Sequence, residues 1–320
     1  MTVLVTGASG FLGQAVATAV ASRGEEVRTL QRRPSGVTGA DDRRGSVTDA
    51  AAVARALDGV DTVIHLAAKV SLAGDPRDFR RVNVDGTRAL LDAAARAGVT
   101  RFVHVSSPSV AHTGAALAGV GAEPASPRHA RGEYARTKAE AELIALSADT
   151  AGFGVLAIRP HLVWGPGDPQ LVARIVARAE AGRLPLIGGG AALVDSTYID
   201  NAVTAIIAGA DRMSTAHGRP YIVTNGEPRP VGELIARMCR AAGVSPPSWS
   251  VPAWLARGVG GVVERVWAVR PGADEPPMTR FLAEQLSTAH WFDLRETRAA
   301  LDWSPEVTLE EGFARLAAAA

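Results

Sequence analysis

The chain has 320 residues, 47% of them hydrophobic and 21% charged, with 34 basic against 33 acidic side chains and a formal net charge of +1. That balance carries no electrostatic footprint for nucleic acid, and the length suffices for one large core or two modest ones. A single cysteine, Cys239, excludes an intrachain disulfide, and the absence of any Cys/His cluster at ligand spacing argues against a metal.

In chain order, residues 3–5 read as a strand that opens the sequence with no basic leader ahead of it, so a cytoplasmic enzyme is expected. A helix follows over Phe11–Ser22, with Gly24 just past its end. Strands are expected at 27–30 and 62–66, a helix from about 77 to 96 that stops at Gly98, and further strands at 102–105 and 155–158. Strands alternating with helices mean βαβ units, so the fold class is α/β, a Rossmann-type doubly wound parallel sheet. After Arg159 the pattern loosens. Gly188-Gly189-Gly190 and Pro246-Pro247 mark loops, with a return to strand and helix near 196–210. This predicts a dinucleotide-binding domain over 1–158 plus about 197–226, and a smaller mixed substrate-binding domain over 159–196 plus 227–320. Cys239 falls in a helical pattern at 231–242 and reads as buried filler. Residues 249–270 collect Trp249, Trp254 and Trp267, but Arg257, Glu264 and Arg265 interrupt them. An amphipathic helix over an apolar cleft is expected there, with membrane contact at most peripheral.

Three glycines, in Gly7-Ala8-Ser9-Gly10-Phe11-Leu12-Gly13, sit between the first strand and first helix. The first lets the chain turn, the second admits a pyrophosphate to the backbone, and the third packs helix against sheet. The second strand ends in Gln31-Arg32-Arg33 with no acid, and two guanidiniums suit a 2′-phosphate, so NADP(H) is favoured over NAD(H). Tyr134 and Lys138, four apart, share one helix face, where the ammonium, together with the positive nicotinamide when oxidised, is expected to lower the phenol pKa and make it a proton-transfer group. The chain has three tyrosines, and its only lysines are Lys69 and Lys138, so the pairing is not generic. Upstream, Ser106, Ser107 and Ser109 follow a strand end facing the cleft, and spacing does not decide which hydroxyl points inward.

Gly7-x-x-Gly10-x-x-Gly13, Ser107 and Tyr134-x-x-x-Lys138 resemble the extended short-chain dehydrogenase/reductase family. His65-Leu66-Ala67-Ala68, Asn83-Val84-Asp85-Gly86-Thr87, Arg159-Pro160 and Gly165-Pro166-Gly167 agree. The resemblance implies catalysis by Ser107, Tyr134 and Lys138, with Asn83 buttressing the proton relay. It implies cofactor contacts from Ser9, Phe11, Leu12, Leu66, Ala67, Ala68, Lys138 and Pro160 besides the glycines and arginines. It also implies a homodimer built on the helices around 77–96 and 134–146. Longer strings are similar to the 3β-hydroxysteroid dehydrogenase branch and, nearer still, to bacterial reductases of 2-alkyl-3-oxo acids in long-chain olefin formation. These are Ser107-Pro108-Ser109-Val110, the run from Arg159 to Asp168, the run from Asp195 to Asn201, and the run from Pro277 to Leu286. They imply NADPH-dependent reduction of a lipid-like 3-keto acid, and association with the thiolase-, β-lactone synthetase- and hydrolase-type proteins of that pathway.

Two departures stand out: Ser46-Val47 occupies the usual adenine-contact pair, and Trp164 replaces a common tyrosine, altering pocket bulk. Lys69, one of two lysines among arginines, is expected either to pair with the substrate carboxylate or to be a solvated loop residue. Arg159, His161 and Arg280 are further candidates, Arg159 alternatively as a structural ion-pair partner and His161 as a pocket-lining residue. A steroid or sterol-4-carboxylate dehydrogenase is the nearest rival enzyme. A sugar-nucleotide epimerase suits a more polar second domain. A non-catalytic NADP(H)-binding regulator is disfavoured because both Tyr134 and Lys138 are kept.

Overall fold

A computed structural model of the chain describes residues 1–71, 74–268 and 279–320. Pro277 and Met278 of the last family string, and residues 269–270 of the tryptophan-rich segment, lie outside these. The first half runs β1 (Thr2–Thr6), α1 (Phe11–Ser22), β2 (Glu26–Gln31), β3 (Asp41–Arg44), α2 (Ala50–Leu57), β4 (Thr62–His65), α3 (Pro76–Phe79), a π-helical stretch (Arg80–Asp85), α4 (Gly86–Arg96), β5 (Arg101–Val105), β6 (Leu117–Val120), α5 (Gly132–Ser147) and β7 (Gly154–Pro160). Then come β8 (Val163–Trp164), α6 (Val172–Glu180), β9 (Leu186–Ile187), β10 (Leu193–Val194), β11 (Thr197–Tyr198), α7 (Ile199–Asp211), α8 (Met213–Ala216), β12 (Pro220–Val223), β13 (Arg229–Pro230) and α9 (Val231–Ala241). The chain closes with β14 (Ser250–Val251), α10 (Ala253–Ala268), α11 (Arg280–Ser287), β15 (His290–Phe292), α12 (Arg295–Leu301) and α13 (Leu309–Ala318).

The large sheet has the order β12-β7-β5-β4-β1-β2-β3, every neighbouring pair parallel. Crossover helices cover both faces of such a sheet, so its strands must be apolar on both. Side chains alternate across a strand, and β1 divides accordingly. Val3 and Val5 join α1 and α7 in one core cluster, while Leu4 joins α2, α4 and α5 in the other. Leu4, Val5, Val63, Val103 and Ile158 are fully buried, each contributing about 1.5–3 kcal/mol. The chain leaves β1 toward β2 and β3, then returns to β4 on the other side. The loops after β1 and β4 therefore diverge, and a crevice opens at the strands' C-terminal ends. A small mixed sheet, β13-β10-β15-β6, faces this crevice through β10 and β15, whose Val194, His290 and Phe292 line the cavity there.

Two elements differ from the sequence reading. The helix expected over 77–96 is interrupted by the π stretch, where the Gly86 N–H reaches back to the Arg81 carbonyl and the Thr87 hydroxyl takes that of Asn83 at 2.7 Å. β3 carries only Asp41-Asp42-Arg43-Arg44, all exposed, and has no apolar pattern by which to be read. No helix among the described residues is long and apolar enough to cross a membrane.

Candidate active site

The crevice opens into a cavity of about 530 Å³, lined at one end by Gly7, Gly10, Phe11, Leu12 and Gly13. Gly7 has φ +75°, and a Cβ there would lie 2.8 Å from the Ala67 nitrogen. A Cβ on Gly13 would lie 2.3 Å from the Gly7 carbonyl oxygen. These two glycines are set by backbone packing, whereas Gly10 would meet only the Gly7 oxygen at 3.4 Å and leaves space before the helix. α1 has no side-chain cap and no acid in its first turn, so its unpaired N–H groups and positive end face the cavity. That cradle fits the pyrophosphate of a dinucleotide. Leu66, Ala68 and Pro160 also line the cavity; Ser9 and Ala67 stand beside the lining residues rather than among them.

Arg32 and Arg33 are exposed beyond β2. Arg44 pairs in register with Gln31 and brings a third guanidinium to the same edge, which the sequence reading missed. An acid is also near: Asp42 accepts hydrogen bonds from the Thr29 hydroxyl at 2.7 Å, the Ser35 N–H at 3.3 Å and the Gln31 amide. Its oxygens are thereby engaged within the protein. Val47 is buried against α2 and Gly86, and the Ser46 hydroxyl bonds Thr48.

A chain of hydrogen bonds pins the loop after β4. The Thr87 hydroxyl donates to the Asn83 carbonyl, so its oxygen accepts from His65 Nε2 at 2.9 Å. Thr6 accepts the Ala67 N–H at 3.1 Å and so donates to His65 Nδ1 at 2.8 Å. Burial holds His65 down to about 3, hence neutral. Asn83 accepts the Lys69 N–H at 2.7 Å and donates to the Lys69 carbonyl at 3.2 Å and to Thr137 Oγ1 at 3.1 Å. It thus ties that loop to α5 beside Lys138.

Ser107, Tyr134 and Lys138 all line the cavity. Ser107 Oγ accepts from the Ser109 hydroxyl at 3.0 Å and the Ser109 N–H at 3.3 Å, and Ser107 is the hydroxyl paired with Tyr134. Ser106 Oγ is buried with no hydrogen-bond partner. The protein's own groups do not give the lowering of the phenol pKa expected from Lys138. Burial pushes Tyr134 up to about 12, against a smaller opposing effect of the Ser107 hydrogen bond. The Lys138 ammonium is turned onto the Val105 carbonyl at 2.7 Å and His104 Nε2 at 3.3 Å, and its own burial lowers it to about 8.

The rest of the cavity wall is mainly apolar, built by α6, α9 and α11 with Ile175, Leu234, Met238, Phe281 and Leu286 among its residues, and Arg174, Arg178 and Gln285 from the same helices also line it. Three substrate candidates are corrected here. Lys69 does not line the cavity: its ammonium lies 3.6 Å from Asp78 and 5.2 Å from the Phe79 ring centroid. Trp164 is fully buried on the opposite side of β8 from Val163, bonding Ser196 at 3.0 Å and stacking on Phe313 at 4.4 Å. Arg280 is exposed on α11 and pairs with Glu284 at 3.0 Å, while the next two residues, Phe281 and Leu282, face inward. His161 does line the cavity. The tryptophan-rich α10 packs on α11 as an outer layer and, among the described residues, lends the cavity no side chain. Arg159 is structural, its guanidinium paired with Glu142 at 2.8 Å and bonded to the Glu123 carbonyl at 2.7 Å, both side chains of the pair 1% exposed. Cys239 is fully buried, as expected. His112 and His290 also line the cavity; isolated in sequence, they gave no motif to read.

Residues 3–224 match the NAD dependent epimerase/dehydratase family. A 2-alkyl-3-oxoalkanoate reductase of Stenotrophomonas maltophilia (strain K279a) is 39% identical, the match covering 99% of each chain. A 3 beta-hydroxysteroid dehydrogenase/Delta 5-->4-isomerase of Mycobacterium tuberculosis (strain CDC 1551 / Oshkosh) is 31% identical, over 97% of this chain and 88% of that one. Among solved structures, MoeE5 in complex with UDP-glucuronic acid and NAD superposes with a TM-score of 0.76 at 25% identity, covering 99% of this chain and 98% of that one.

Proposed function

The chain belongs to the NAD dependent epimerase/dehydratase family and is an NAD(P)-dependent oxidoreductase, and from that premise we propose that it reduces the 3-keto group of a 2-alkyl-3-oxoalkanoic acid to the 3-hydroxy acid with NADPH. The observation that carries this reading is one cavity joining the glycine cradle, the Ser107–Tyr134 pair and a broad apolar wall. A branched acid with long alkyl chains needs all three.

When bound, the nicotinamide supplies the hydride. Gly7, Gly10, Gly13 and the α1 N-terminus hold the pyrophosphate, and Leu66, Ala68 and Pro160 border the dinucleotide. Ser107 Oγ accepts from Ser109 and keeps its own hydrogen for the keto oxygen, which fixes that oxygen beside Tyr134. Tyr134, held up to about 12, stays protonated at neutral pH. An alkoxide is a far stronger base than a phenolate, so the phenol remains a competent donor to the developing alcohol. Lys138 spends two of its three donors on Val105 and His104, which leaves one for the cofactor. The three arginines at the β2–β3 edge, with Asp42 engaged internally, favour a 2′-phosphate over a bare ribose.

The cavity's apolar breadth also favours a second reading, a 3β-hydroxysteroid as the alcohol. One experiment separates the two. Purified protein is given NADP+ or NAD+ with a 2-alkyl-3-hydroxyalkanoic acid, and in parallel with a 3β-hydroxysteroid, while reduced-nicotinamide absorbance is followed. Turnover of the hydroxy acid with NADP+ is expected; turnover of the steroid alone would transfer the protein to the steroid reading. The assembly we propose is a homodimer on the α4–α5 face, where Leu143 is 46% exposed, associated with the enzymes that make the keto acid and consume the hydroxy acid. Light scattering should then give twice the chain mass, and half that for Leu143→Asp.

A further inference from the structure

Three histidines line the cavity and take no part in the steps above: His112 in the loop after the 3-10 turn Pro108–Ala111, His161 directly after β7, and His290 at the head of β15. They are 1%, 6% and 1% exposed. The His290 ring lies 5.0 Å from that of His112 and 5.9 Å from that of His161, centroid to centroid. Their hydrogen bonds fix which nitrogens are free. His161 Nδ1 donates to the Asp195 carbonyl at 2.7 Å, so in the neutral ring Nε2 is a bare acceptor. The Thr288 hydroxyl gives its hydrogen to the Glu284 carbonyl at 2.7 Å, so His290 Nε2 donates to Thr288 at 3.2 Å. That leaves His290 Nδ1 as a buried lone pair without a partner, and His112 has no partner on either nitrogen. Buried polar atoms are nearly always paired, so a cluster of unpaired ones on residues that line a cavity marks a ligand's polar group.

We propose that His112, His161 and His290 receive the carboxyl group of the substrate, which enters with one proton. This rests on the keto-acid reading above and names the receptor within that site. In a 3-keto acid, one carbon separates the carboxyl from the carbonyl that reacts, so the receptor must adjoin the group holding the keto oxygen. His112 closes the 3-10 turn that Ser107 opens, its backbone N–H bonding the Ser109 carbonyl at 3.2 Å, and the Ser109 hydroxyl in turn bonds Ser107, while His161 follows Pro160. Lys69, engaged with Asp78, is not at hand.

The proton follows from the donor count. Neutral, the cluster offers lone pairs on His161 and His290 and a single N–H on His112, too few donors for a carboxylate. Burial keeps it neutral when free, with His290 held to about 3, His161 to about 4 and His112 below its ordinary value. The acidic neighbours do not supply the missing donors. Glu284 is acidic and paired with Arg131 and Arg280, and the Asp195 carboxyl faces the Thr224 hydroxyl and the Glu227 N–H. Arg174 and Arg178 line the cavity from α6, and a guanidinium receptor would take the carboxylate without a proton.

The test measures KM and kcat for the 2-alkyl-3-hydroxy acid and for its methyl ester, with saturating NADP+, between about pH 6 and 8. One proton bound with the acid raises its KM about tenfold per pH unit, while the ester's KM stays flat. His112→Phe keeps the ring volume and should raise the acid's KM about 10–100-fold with kcat and the ester's KM little changed. Acid and ester with equal, pH-independent KM values would overturn the receptor while leaving the reductase reading intact. So would an acid KM that is flat with pH and rises in Arg174→Ala. Turnover of neither compound, with the steroid turned over instead, would remove the reductase reading and the receptor with it.

Discussion

Tyr134 is where residue chemistry meets function most directly. Tyr134→Phe removes the hydroxyl that pairs with Ser107 and keeps the ring, so NADPH binding, read by fluorescence titration, should be unchanged. Turnover should fall about 10²–10⁴-fold, the usual contribution of a positioned proton donor; a variant with more than a tenth of the activity would show that the proton comes from elsewhere. At the other end of the cavity, Arg32→Ser with Arg33→Ser should cost about 10–100-fold in kcat/KM for NADPH and little for NADH, since charge-assisted bonds to the 2′-phosphate are lost. Equal losses for both would point to Asp42 and the ribose instead. These residues were legible because the helix repeat puts Tyr134 and Lys138 on one face and the glycines fall between strand and helix. Trp164 and Lys69 were not. A two-residue strand sends Val163 to the cavity and Trp164 to the core, and nothing in the sequence announces that Asp78 lies within reach of Lys69.

Elements carry the site through a few buried polar ties, and Arg159–Glu142 is the most deeply buried ion pair among the described residues. It joins β7, which ends beside the cavity, to α5, which bears Tyr134 and Lys138. Glu142→Ala strands a buried guanidinium and should destabilise the fold by about 3–5 kcal/mol, read as a lower midpoint in urea. Arg159→Met with Glu142→Leu should recover part of that loss but not all, because the Glu123 carbonyl then loses its donor. A double variant no more stable than Glu142→Ala would mean that the two side chains act independently. Elements built on apolar periodicity, such as β1, α1, β4 and β5, were readable for the reason that makes them stable: both faces of a parallel sheet are buried. β3 was not, because an exposed edge strand of four charged residues owes its place to backbone pairing with β2 and to polar side-chain ties from Asp41 and Asp42 to that strand, none of which makes an apolar pattern. α10 misled in a subtler way. Its apolar residues suggested a cleft cover, yet Trp254, at 73% exposed, faces outward, and α11 beneath it supplies the cleft wall.

The whole molecule is poised by its histidines. His65 is held to about 3, His161 to about 4 and His290 to about 3, and His104 and His112 are also lowered, all chiefly by burial. An unfolded chain protonates each near 6.5, whereas the folded chain resists to lower pH. For His65, His161 and His290 that stabilising effect is therefore complete above about pH 6.5 and is lost as pH falls toward 4, at about 1.4 kcal/mol per pH unit for each group, and His104 and His112 act in the same direction. Asp195 opposes them. Burial raises it to about 6, so the folded chain takes up that proton first and gains stability as pH falls from 6 toward 4. One carboxyl against five imidazoles leaves the sign with the histidines. Thermal midpoints should fall steadily from pH 6.5 to 4, and more steeply in Asp195→Asn, which removes the opposing group. A midpoint that holds level down to pH 5 would mean that these imidazoles already carry protons in the folded state. Three of the five line the cavity, and a bound hydroxy acid that brings its proton to them should lessen the acid loss. The same curve measured with and without that ligand therefore reads the stability of the fold and the chemistry of its substrate end together.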